Sequence, residues 1–357
     1  MKAIQVKEYV KSPLDLTVTE LPTPTASPDK YLIRIHSAGT NFFDILQIQG
    51  KYQHQPPLPW IAGAEFSGVV LAVPTAPGAT STSNTTNKAG TTTTTTKFKV
   101  GDLVFGASQG SFATHVLCPE ESLLPLPRGW SHEDAAGLFI TAPTAYAGLV
   151  HRAHLKQGDW VLVHAAAGGV GLAAVQIAKA MGATVIATAG TARKREIAAS
   201  FGADYTLDYT EKAWPEEVKK LCRAHRGRNG AAGVDVVYDP VGCIEASLKC
   251  VAWNARLLVI GFAGGDIEKV ALNRVLLKNV SIVGLHWGQY ARFETKTVLD
   301  VWQGIFDLVE RGGFRGTAFQ DESFVGLDSV GRALQALGSR GTWGKVVVRV
   351  DEPMSKL

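Results

Sequence analysis

The segment from Asp159 to Gly182, DWVLVHAAAGGVGLAAVQIAKAMG, constrains the fold more than any other part of the chain. It opens with an apolar run, passes through alanines and glycines, and continues as an apolar helix. An apolar run without polar alternation predicts a strand covered on both faces, as in a parallel sheet flanked by helices. The turn matches G-x-G-x-x-G from Ala166 to Gly171, with alanine in the first glycine's place. Alone the pattern is weak; between a strand and a helix it marks a dinucleotide-binding turn. Bare backbone at Gly168 and Gly169, between Ala167 and Val170, would let a pyrophosphate reach the amide donors that open the helix.

Strands and helices go on alternating beyond this point. WVLVHA, TVIATAG, YTLDY, VDVVYD, RLLVIGF and VSIVGLHWG read as six strands, with helical segments between the first five. Six such strands make a full doubly wound, parallel-sheet α/β domain. In such domains a carboxylate about 20 residues beyond the glycines holds the ribose 2′-hydroxyl. Here the second strand ends at Thr188 in IATAGTARKRE, and no acid precedes Glu196. Small residues followed by Arg193, Lys194 and Arg195 favour a 2′-phosphate, because a carboxylate would repel it and cations attract it. The expected cofactor is NADPH.

The flanking regions have a different grain. KAIQV, LDLTVTE, YLIRIHSAG, FSGVVLAV, DLVFGA and SFATHVL alternate or are β-branched, so the first 125 residues or so predict a mostly β domain. NFFDILQIQG is a short helix with Gly50 as its stop. Residues 74–97 hold eleven threonines and no large apolar side chain, which predicts a disordered insertion in a turn. TVLDVWQGIFDLVERGG places Val298, Val301, Trp302, Ile305, Leu308 and Val309 on one helical face. The late strand KVVVRV is expected to pair back into the first domain.

Composition excludes several function classes. The balance of 36 Lys and Arg against 32 Asp and Glu is spread along the chain, so no nucleic-acid groove is expected. No run reaches the ~18 apolar residues of a membrane span. The alternating MKAIQVKEYV lacks a signal peptide's apolar core. Cys118, Cys222, Cys243 and Cys250 form no C-x-x-C pair, so reduced thiols are expected rather than a metal or disulfide framework. Ser355-Lys356-Leu357 matches the tripeptide read by peroxisomal import receptors. The expected address is therefore the peroxisome, with that receptor as a partner; the alternative is cytoplasmic.

HAAAGGVGLAAVQIAKAMGATVIATAGTARK, with GTNFFDILQ, GAEFSGVV, VGDLVFG and VVYDPVG in the same order, resembles the zinc-free quinone oxidoreductase branch of the medium-chain dehydrogenase/reductase superfamily. The resemblance spans nearly the whole chain apart from the threonine-rich insertion and the last few residues. It implies a GroES-like β-rich catalytic domain over residues 1–126, a Rossmann NADPH-binding domain over 127–288, and a return to the catalytic domain over 289–357. Asn41 would then donate a hydrogen bond at the nicotinamide and substrate, and Tyr52 would line the cleft. Ala167, Gly168, Gly169 and Val170 would face the pyrophosphate, Thr188 would stand at the ribose position, and Lys194, Tyr209 and Arg340 would hold the 2′-phosphate. Thr144, Gly261 and Phe262 would line the nicotinamide side.

Asn41 and Ala64-Glu65 stand where zinc-dependent relatives carry metal ligands, so no metal is expected. Leu46 replaces a tyrosine found in some quinone reductases, which leaves the proton donor open. Leu46, Trp60 and Trp287 point to an apolar, aromatic cleft. The resemblance implies a metal-free reductase of quinones, enones or enals, working as a homodimer paired through VSIVGLHWG. Two alternatives stand beside it: a 2-enoyl thioester reductase, and an NADPH-binding structural or RNA-binding protein.

Overall fold

A computed structural model describes the chain except residues 26, 76–84, 87–91, 94–95, 227–232, 266 and 351–357. Most of the threonine-rich insertion and the tripeptide Ser355-Lys356-Leu357 lie outside the described residues. Within the insertion Thr85–Thr86 and Thr92–Thr93 pair antiparallel. The chain forms two compact units: a flanking unit of Met1–Ile140 with Ala318–Leu357, and an inserted unit of Thr141–Thr317.

The inserted unit carries all six strands read from the sequence. They lie in the order Tyr205–Leu207, Thr184–Thr188, Trp160–Val163, Val234–Asp239, Val251–Val259, Ser281–Gly284. Each neighbouring pair is parallel. Numbered along the chain this is 3-2-1-4-5-6, the Rossmann order, which reverses between Trp160–Val163 and Val234–Asp239. Every residue of Trp160–Val163 is buried, as an unbroken apolar run requires.

The helix Thr295–Glu310 buries Val301, Trp302, Ile305 and Leu308, the face its periodicity predicts. A β-carbon added at its Gly304 would sit 2.1 Å from the Tyr146 hydroxyl oxygen, so this helix packs within the inserted unit. Conversely Ser67 Oγ bonds the carbonyl of His132 at 2.7 Å, which joins the helix His132–Ala136 to the flanking unit. The units divide at Ile140 and Thr317, later than the limits of 126 and 288 that the family resemblance implies.

In the flanking unit Lys30–Gly39 is the central strand. It pairs with Glu65–Ala72, His115–Pro119 and, antiparallel, with the late strand Val347–Arg349. Ile33, Ile35, Phe66, Val104, Phe112, Leu334 and Val348 share its core, so residues from both ends of the chain close one hydrophobic interior.

Candidate active site

In the flanking unit the site begins where the central strand ends. Asn41 caps the helix Phe42–Ile48, and its backbone N–H donates to Asp44 Oδ2 at 2.7 Å. The Asn41 side chain reaches the other way. Its Nδ2 donates to Glu65 Oε1 at 2.8 Å, and its Oδ1 accepts from Lys345 Nζ at 2.6 Å. Lys345 and Glu65 form an ion pair, and Glu65 Oε2 accepts from the backbone N–H of Ile140 at 3.1 Å.

Register explains the meeting. Val347 lies opposite Gly39 and Val348 opposite Ala38, so the same register carried two residues further sets Lys345 against Asn41. Two glycines make room for the pair. A β-carbon at Gly39 would lie 2.9 Å from Glu65 Cγ, and one at Gly137 would lie 2.4 Å from Lys345 Cγ.

Asp44 lies under this network, 1% exposed, with no partner for its Oδ1. Burial pushes its carboxyl up to about 7; the Asn41 N–H and the Lys345 charge pull against that, and Glu65 adds to it. Tyr52 stacks on Phe43 with ring centroids 5.4 Å apart. Burial, and then the Asp44 charge, hold its hydroxyl above the ordinary phenol range. Arg340 is exposed in the left-handed region at φ 58°. Trp60 is a core residue, 6% exposed, on a strand that pairs with Lys2–Val6.

In the inserted unit the glycine turn has the shape its sequence implies. Ala165 takes φ 46°, the Gly168 N–H returns to the Ala165 carbonyl at 2.9 Å, and the helix Gly169–Ala180 starts with no side-chain cap. Gly168, Gly169 and Val170 are half-buried, while Ala167 is 2% exposed. A β-carbon at Gly171 would fall 2.4 Å from the Ala165 oxygen, so only glycine allows the helix this close to the turn. A pyrophosphate fits such a turn, with bare backbone and uncapped N–H groups at a helix start.

Thr188 turns its hydroxyl inward. It is fully buried, with Oγ1 2.8 Å from His164 Nδ1, because the ring beneath needs a partner. His164 Nε2 lies 2.8 Å from Ser247 Oγ, and burial pushes this histidine down to about 4. The ring therefore acts as a neutral strut between three segments. At the mouth of the second strand, Gly190 faces Tyr209: a β-carbon there would be 3.6 Å from the tyrosine hydroxyl. Thr191 caps the following helix through the N–H of Lys194, and Arg195 pairs with Asp208 at 2.6 Å. Arg193 and Lys194 complete that helix start.

Beyond the strand ends, Gly261 and Phe262 line a cavity of about 230 Å³ with Asp239, Ile244, Val259 and Glu268. Thr144 stands half-buried on the helix Leu138–Tyr146. Trp287 stacks on Tyr290, with centroids 5.1 Å apart.

Sequence reading named Asn41 and the glycine turn, and named neither Lys345 nor Glu268. KVVVRV read as a plain strand, and nothing in its spacing marked the lysine as buried.

A GroES-like β unit carrying an inserted Rossmann unit, with a glycine turn at its first strand, defines a dinucleotide-dependent dehydrogenase or reductase fold. Residues 27–128 match the alcohol dehydrogenase GroES-like domain and residues 169–303 match the zinc-binding dehydrogenase family. The chain is 35% identical over 327 residues to quinone oxidoreductase-like protein 2 homolog of Nematostella vectensis, covering 90% of this chain and 81% of that one. Its identity to quinone oxidoreductase-like protein 2 of Mus musculus is 37% over 279 residues, 77% and 73% of the two chains. The structure of Escherichia coli quinone oxidoreductase complexed with NADPH aligns at TM-score 0.81 and 26% identity, covering 98% of this chain and all of that one. The chain belongs to the quinone oxidoreductase branch of the medium-chain dehydrogenase/reductase superfamily.

Proposed function

We propose that this chain is an NADPH-dependent reductase that delivers hydride to a quinone or another conjugated carbonyl, an enone or enal. The observation that carries the cofactor choice is the end of Thr184–Thr188. Thr188 is turned inward to His164, Gly190 and Tyr209 occupy the mouth, and Arg193 and Lys194 follow. Asp208, the nearby acid, is paired with Arg195. The NADPH complex of the Escherichia coli relative supports the same choice.

When bound, the dihydronicotinamide would supply the hydride. The turn from Ala167 to Val170 would hold the pyrophosphate, and Asn41 would offer an amide N–H to the site. Glu65 is engaged by Lys345, Asn41 and Ile140, so it is a poor candidate metal ligand. Conjugated acceptors suit a site of this kind, because their developing charge is delocalised and hydrogen bonds are enough to stabilise it.

The reading includes a homodimer. Ser281–Gly284 is an edge strand, and beside it the helix Leu272–Lys278 buries none of its residues. Leu272, Leu276 and Leu277 are each more than 70% exposed, which supports a partner surface there.

The test is NADPH and NADH oxidation by the purified protein across quinones, alkenals and enoyl thioesters, with and without chelator. Faster NADPH turnover with quinones or enones, unchanged by chelator, is the expected result. A preference for NADH, or activity lost to chelator and restored by zinc, would overturn the reading.

A further inference from the structure

We propose that Lys345 is a positioning residue: with Glu65 it fixes and polarises the Asn41 carboxamide, so that one defined N–H meets the acceptor's oxygen. This rests on the reductase reading above. An asparagine amide can turn over, exchanging its oxygen and nitrogen. Here a cation stands at one end and an anion at the other: Lys345 Nζ 2.6 Å from Oδ1, and Glu65 Oε1 2.8 Å from Nδ2. Turned over, the amide would set its oxygen against a carboxylate and its N–H groups against an ammonium. Only one orientation survives.

The three residues are built in rather than incidental. Glu65 is fully buried, Lys345 4% exposed and Asn41 7% exposed. Gly39 and Gly137 leave the space that the carboxylate and the lysine stem fill. An amide nitrogen carries two hydrogens. One of Asn41's goes to Glu65, and among the described residues no acceptor takes the other. An ammonium on the amide oxygen draws electron density from the nitrogen, which makes that remaining N–H a stronger donor. Such a donor strengthens its bond as negative charge builds on an oxygen, which is what lowers a barrier. Lys345 would thus act through Asn41, with no contact of its own to the substrate.

The experiment compares wild type with Lys345→Met/Glu65→Met, which removes both charges together and avoids an unpaired buried ion. Gly137→Ala serves as a second variant that crowds the lysine stem and keeps both charges. The first readout needs neither cofactor nor substrate: the side-chain amide signals of Asn41 in protein labelled with ¹⁵N-asparagine. Both variants should shift and broaden that pair. The second readout is kinetic. We expect kcat to fall roughly 10–100-fold with little change in the KM for NADPH. Added to Asn41→Ala, the double substitution should cost almost nothing further, because the effect runs through Asn41.

An unmoved Asn41 signal, an unchanged kcat, or a full additional loss on the Asn41→Ala background would each overturn the proposal. A wild type that reduces no conjugated carbonyl would sink the functional reading instead, and the amide signals would still report on the orientation.

Discussion

Asp44 and His164 respond to pH in opposite senses, and both responses follow from burial. The Asp44 carboxyl is raised to about 7 in the fold, above its ordinary carboxylate value. The folded state therefore binds the extra proton, and stability present at low pH is lost as pH rises through about 7. His164 is lowered to about 4, so its contribution is present above the ordinary histidine value and lost as pH falls toward 4. Asp44→Asn keeps an oxygen for the Asn41 N–H and removes the titration. Its melting temperature should lack the decline that wild type shows from about pH 4 to 7; a parallel decline in both would refute the assignment. Lys194→Ala and Arg340→Ala test the cofactor choice. Each should raise the KM for NADPH roughly tenfold or more and leave that for NADH nearly unchanged. Equal effects on both cofactors would remove these residues from the 2′-phosphate. Asn41 was legible through the family resemblance that GTNFFDILQ helps to carry. Lys345 was not: 304 residues separate it from its amide partner, and only the register of two strands brings them together.

At the scale of elements, the strands of the inserted unit were the most legible part of the chain. A strand buried on both faces is written as an apolar run, and a turn that hugs phosphate is written in small residues. Unit limits were harder to read. The helix Thr295–Glu310 shows its apolar face in the sequence, but not which unit receives it; the Gly304–Tyr146 approach decides that. Position in the strand does not reveal which way the Thr188 hydroxyl turns; the structure sets it 2.8 Å from His164 Nδ1. Gly171→Ala tests the turn itself. Its β-carbon would meet the Ala165 oxygen at 2.4 Å and Ala166 Cα at 2.7 Å, both backbone atoms that cannot swing aside. A loss of about 1–3 kcal/mol in stability is expected, with weaker NADPH binding by fluorescence titration. A variant as stable as wild type, with undiminished affinity, would show that the helix start has slack.

For the molecule as a whole, the exposed leucines and the edge strand predict self-association. Replacing Leu276 and Ile282 by lysine should shift the sedimenting species from dimer toward monomer, with the far-UV signal unchanged. An unaltered dimer would place the interface elsewhere. The pairing of Val347–Arg349 with Lys30–Gly39 also bears on how the protein is made. A ribosome delivers Asn41 and Glu65 before the inserted unit and Lys345 only after the whole of it. Until then Glu65 has no buried cation, and the amide has nothing to choose its orientation. A nascent chain can therefore shape its nucleotide-binding unit first, while the Asn41–Glu65–Lys345 network waits until Val347–Arg349 docks. A chain cut before that strand would keep the glycine turn and lack the cation that faces the Asn41 amide.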